Sequence, residues 1–84
     1  MGWEYCTLEG AVSRATNLLD LTIEYRNVPG KSTETQTGLP RTELDNAVKN
    51  LRGEGWELES QCANPTSEWY KETYSFKRPS QNDN

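Results

Sequence analysis

The chain is 84 residues long and carries 13 acidic against 9 basic side chains with no histidine, a formal charge of −4 at neutral pH. That length predicts one domain with a small core, and the acidic balance argues against holding a phosphate backbone by long-range attraction. Only 32% of the residues are hydrophobic, so three Trp, four Tyr and one Phe are expected to carry most of the core, each burying on the order of 150–250 Å².

Residues 3–8 alternate as a strand, with Trp3, Tyr5 and Thr7 on one face and Glu4, Cys6 and Leu8 on the other. The aromatic face is expected to turn inward, which leaves Cys6 and Leu8 on a free face as a candidate contact surface. Residues 10–17 read as a connection, although Ala11, Val12, Ala15 and Leu18 also fit one or two helical turns. In residues 19–26, Leu19, Leu21, Ile23 and Tyr25 alternate with Asp20, Thr22, Glu24 and Arg26. This is a half-buried strand whose simplest partner is the first, antiparallel. Residues 29–40 have almost no apolar content and are bracketed by turn residues, so a mobile polar loop is expected there.

Leu44, Ala47, Val48 and Leu51 then recur at the spacing of one helical face. Thr42 is the expected N-cap, Glu43 and Asp45 sit at the positive end of the helix dipole, and Gly53 or Gly55 stops the helix. The period changes at once to two, with Trp56, Leu58, Ser60 and Cys62 inward and Glu57, Glu59 and Gln61 outward. Residues 63–68 are a turn by composition, and residues 69–77 are the last strand, which Pro79 ends by removing a donor. Opposing Trp56 to Phe76 sets Leu58 on Tyr74, Ser60 on Glu72 and Cys62 on Tyr70, which gathers the large groups on one face. The expected fold is α+β: an antiparallel four-stranded sheet, β-β-α-β-β along the chain, with one helix packed on one face. It forms a single domain over residues 1–78, with a disordered tail over 79–84.

With these elements placed, the chain resembles a family of short bacterial and phage proteins, domain-of-unknown-function family 4177. Three motifs carry the resemblance: the opening Trp3-Glu4-Tyr5, the helix-to-strand junction Gly55-Trp56-Glu57-Leu58, and the closing Phe76-Lys77-Arg78-Pro79. Their order and spacing are similar to the family pattern, whereas residues 9–40 depart from it, since shorter relatives place less between the first strand and the helix. The resemblance supplies no activity, cofactor or catalytic residue.

No apolar run approaches the roughly 20 residues that cross a bilayer, and the N-terminal residues lack the basic and apolar regions of a signal peptide. A cytoplasmic protein without membrane contact is expected. Cys6 and Cys62 are then expected to be reduced and buried, with a single disulfide as the alternative. Acid–base or nucleophilic catalysis needs a group that titrates near neutral pH beside its target, and without histidine the candidates shrink to the two thiols and to Glu72 near Ser60. No enzyme is expected. The cysteine and carboxylate spacing fits no zinc finger, and neither a metal nor a cofactor is foreseen. Aromatic residues on a sheet invite comparison with RNA-binding sheets, but these rings are needed to fill the core and the charges between them are mixed, so nucleic acid is not an expected partner.

Three functions fit these residues. The first is a non-enzymatic interaction module that binds protein, most simply a second copy, through the face around Cys6 and Leu8 or through a sheet edge. The second is a small-ligand binding or sequestering protein of phage type, with the polar loop closing over Trp69 and Lys71 and with Glu72 and Ser60 as further ligand contacts. The third is an acidic nucleic-acid mimic using Glu54, Glu57 and Glu59, against which the mild acidic surplus argues.

Overall fold

Period-two alternation extends further along the chain than its apolar content suggests. The computed structural model describes residues 2–80. It contains β1 (Trp3–Ser13), β2 (Leu19–Arg26), β3 (Glu34–Leu39), α1 (Thr42–Gly53), β4 (Glu57–Pro65) and β5 (Trp69–Pro79). The strands form one antiparallel sheet in the order β3-β2-β1-β5-β4, so β1 and β5 hold the centre. The fold is α+β with one helix, as expected, but the sheet has five strands and not four.

The extra strand lies where a loop was expected. Within residues 29–40, Glu34–Leu39 pairs with β2 although all but Leu39 are exposed. Polar on both faces, such an edge strand leaves no hydrophobic alternation to read. It is irregular opposite Asp20, whose carboxylate accepts the Gly38 amide at 3.2 Å, and Gly38 supplies the positive φ of 69°. β1 also outruns its expected end. Residues 10–17 hold no helix: β1 continues to Ser13, and a turn with Asn17 at φ 60° closes through the Ser13 amide on the Leu18 carbonyl.

α1 lies across the face of the sheet that holds Cys6, Leu8 and Val12 of β1, Leu19 and Leu21 of β2, and Tyr74 and Phe76 of β5. Leu44 and Leu51 bury the helical stripe against it, flanked by Ala47 and Val48. Gly10 permits the close approach: a Cβ there would stand 2.8 Å from Leu44 Cδ1 and 3.3 Å from Leu19 Cδ1. Thr42 is not the cap that its spacing suggested. Arg41 occupies that position in αR conformation without a side-chain bond, and the Pro40 and Arg41 carbonyls accept the Glu43 and Leu44 amides instead. At the other end the Trp56 amide bonds to the Leu51 carbonyl and the Gly55 amide to that of Arg52, with Gly55 at φ 94°, the paired bonds of a Schellman stop.

Two further expectations are corrected. β1 has the anticipated period but the opposite phase: Cys6 and Leu8 are 1% and 0% exposed, so neither lies on a free face or can serve as a contact surface. Alternation alone favours turning the aromatic residues inward, but the fold buries Glu4 instead and meets its charge with Arg78. The β4–β5 register also differs. Leu58 stands opposite Phe76, a bulge follows at Glu59, and Ser60 then meets Ser75, Gln61 meets Tyr74 and Cys62 meets Thr73. The extra residue reverses the alternation, so Cys62 and Ser60 leave the helix side and are exposed. Both cysteines are free thiols. Of the expected tail, Pro79 belongs to β5 and the Ser80 amide bonds to the Gly2 carbonyl, while residues 81–84 lie outside the described residues.

Candidate functional site

The face of the sheet opposite α1 is covered by no other element among the described residues. Its rows follow from the register. Thr35, Thr22, Glu9, Thr73 and Cys62 run across all five strands, and Asp20, Ala11, Lys71 and Asn64 form the next row. On the other side of the first row come Glu24, Thr7, Ser75 and Ser60, then Arg26, Tyr5, Lys77 and Glu57. Threonine and serine fill the middle, and aromatic rings mark the two ends. At one end Lys77 lies 4.8 Å over the Trp3 ring and Arg26 lies 5.4 Å over Tyr5. At the other, Trp69 and Lys71 flank a shallow groove of about 390 Å³ that reaches Thr35 and Thr37.

At the Trp3 end, on the helix side of the sheet, a clasp joins β1, β5 and the junction between α1 and β4. Arg78 Nε donates to Glu4 Oε1 at 2.6 Å, its guanidinium lies 4.1 Å from the Trp56 ring centre, and its Nη1 donates to the Glu54 carbonyl at 3.2 Å. The Glu4 side chain is 4% exposed and that of Arg78 15%. The three motifs noted in the sequence thus converge on one contact, whose geometry is that of a structural lock: charge paired inside and ring stacked above.

A second concavity lies on the helix side, where α1, β2 and the segment entering β3 enclose a cleft of about 370 Å³. Leu21, Ile23, Tyr25 and Ala47 form its walls, and Glu34, Glu43, Glu54 and Lys31 stand around it. Lys31 is placed by a turn in which Gly30 takes φ 78° and the Lys31 amide bonds to the Val28 carbonyl at 3.2 Å, and its ammonium sits 5.4 Å over the Tyr25 ring. Burial, then the negative charge of Glu34, pushes the Tyr25 phenol up to about 12.

The candidate ligand residues do not form one set. Trp69 and Lys71 share the groove on the uncovered face. Glu72 faces the helix side, where its carboxylate accepts the Tyr74 hydroxyl at 2.6 Å; burial and then this bond raise the Tyr74 pKa. Ser60 stands on the uncovered face of β4, so the Ser60–Glu72 pair does not form. Cys6 is held as a neutral thiol, since burial pushes it up to about 11. Among the described residues no group of three or more His, Cys, Asp or Glu side chains could hold a metal, and no helix is long and apolar enough to cross a membrane. Sequence reasoning missed the cleft because Lys31 and Glu34 read as loop, although Pro29-Gly30 was a legible signal for the turn that aims Lys31. Comparison with protein-family models, with curated proteins and with solved structures gives no match to this chain.

Proposed function

We propose that this protein is a non-enzymatic interaction module that binds protein through the uncovered face of its sheet, with a second copy of the chain as the partner. The observation that carries this reading is the face itself, five strands wide with no element over it among the described residues. Strands of 11 residues at roughly 3.3 Å per residue and 4.8 Å spacing give a footprint of at most about 700 Å², close to the roughly 800 Å² per partner of ordinary stable interfaces. Its charges suit pairing with a copy of itself. Arg26, Lys71 and Lys77 are interleaved with Glu9, Asp20, Glu24 and Glu57, so no single-sign field repels the second molecule. The edges are less inviting, since β4 carries a bulge, Glu57, Glu59 and Pro65, and β3 is irregular at Gly38. These are features that blunt strand addition. The resemblance to family 4177 stands beside this reading as a proposal, since the motifs that carry it supply the clasp and only one end row of the face.

The test is solution mass. The chain of 9.6 kDa is expected to run at twice that mass at micromolar concentration, and Thr73→Arg, in the middle of the face and opposite Glu9, should return it to monomer with its melting temperature kept. A wild-type monomer, or a dimer that tolerates Thr73→Arg, overturns the proposal.

A further inference from the structure

The cleft between α1 and β2 carries a second activity that the uncovered face does not explain. We propose that it binds a small aliphatic ammonium compound, with the cation on the Tyr25 ring and its charge balanced by Glu34 and Glu54.

Four observations point the same way. The volume, about 370 Å³, falls in the range of small-molecule sites, and apolar walls from Leu21, Ile23 and Ala47 offer contact to methylene groups. The charge is unbalanced: among the lining residues three acidic ones, Glu34, Glu43 and Glu54, stand against one basic one, Lys31, with Arg78 behind the Glu54 carbonyl as a further cation nearby. Those carboxylates are spread around the rim and not gathered, since no metal-holding group of three exists among the described residues. An extended organic cation answers such a rim where a compact metal ion does not. Finally, the position over Tyr25 already holds an ammonium, that of Lys31 at 5.4 Å, and among the described residues Lys31 makes no ion pair. The chain thus places an alkylammonium of its own where the ligand's would sit, presented by the Pro29-Gly30 turn.

Lys31 therefore competes with the ligand instead of binding it, which separates this assignment from any reading of Lys31 as an anion receptor. The experiment is a titration of isotope-labelled protein with spermidine and, separately, with magnesium chloride, followed by backbone amide shifts. Spermidine is expected to give saturable shifts at Tyr25, Ala47 and Asn50. Lys31→Ala should bind it about two- to fivefold more tightly, the gain from freeing an exposed ring face of its own cation. Glu34→Gln should weaken it. Both variants change exposed side chains, and unchanged amide spectra away from the cleft establish that they fold. Three results overturn the assignment: no saturable shifts at millimolar spermidine, the same shifts from magnesium at the same concentrations, or weaker binding by Lys31→Ala.

Discussion

Arg78→Ala is expected to be among the most damaging single changes in this chain. It deletes the 2.6 Å donor to Glu4, whose side chain is 4% exposed, and uncovers the Trp56 ring. Breaking a buried ion pair by removing one partner costs about 3–5 kcal/mol, because the remaining charge stays desolvated. The lost stacking, about 0.5–2 kcal/mol on its own, comes from the same side chain and does not simply add. A domain of 84 residues has a total stability on the order of 4–13 kcal/mol, so the loss takes about a quarter or more of it and unfolds the variant outright only if the wild type lies near the lower end. Urea unfolding followed by tryptophan fluorescence measures it, since Trp56 is buried in the clasp. Glu4→Gln in the same background should recover part of the loss, an amide being cheaper to bury than a carboxylate. A loss for Arg78→Ala below about 1 kcal/mol, the level of a surface pair, would refute this account.

Gly10→Val should cost at least about 1–3 kcal/mol, an overpacking penalty, because even a Cβ meets Leu44 at 2.8 Å; Leu44→Ala in the same chain should restore some of it, and strictly additive urea midpoints would exclude that contact as the cause. Alkaline pH should unfold the protein early. Burial moves Cys6 from its ordinary 9.0 to about 11 and Tyr25 from 10.0 to about 12, so above pH 9 the unfolded chain gives up protons that the fold retains. Stability is then full below that pH and falls as pH rises through 11 and 12, by up to about 1.4 kcal/mol per pH unit for each group. Cys6→Ala should flatten the slope between pH 9 and 11 in a series of urea midpoints, and an unchanged slope would remove Cys6 from the explanation.

The helix, its stop at Gly55 and the strand pairing of β1 with β2 were legible because each repeats a local physical rule: a 3.6-residue apolar stripe, a left-handed glycine, a two-residue alternation. β3 was not legible, because an edge strand with both faces in water needs no apolar residue at all. The phase of β1 was lost for another reason. Alternation says that two faces differ but not which of them is inside, and the deciding fact was a long-range one, that Arg78, 74 residues away, neutralises Glu4. The bulge at Glu59 leaves no mark in the sequence either, and it moves Ser60 and Cys62 across the sheet. Of the candidate site, Trp69 and Lys71 line one groove, whereas Ser60 and Glu72 are separated both by a register two residues from the expected one and by that inserted residue.

The clasp also explains why the three motifs stand so far apart in the sequence. β1 and β5 are adjacent in the sheet although they are the first and last strands, so their pairing closes the longest loop in the fold. Loop closure is an entropic cost that must be met by contacts made only once the ends have joined. Glu4, Arg78 and Trp56 supply such contacts, since none of them has this partner within its own segment. The same closure defines the two candidate sites. It brings Thr7, Glu9 and Ala11 of β1 beside Lys71, Thr73 and Ser75 of β5 to make the middle of the uncovered face, and it leaves α1 against β2 on the other side, where the acidic cleft forms. A face of mixed sign and a cleft whose charged lining residues are mainly acidic are therefore separated by one layer of backbone.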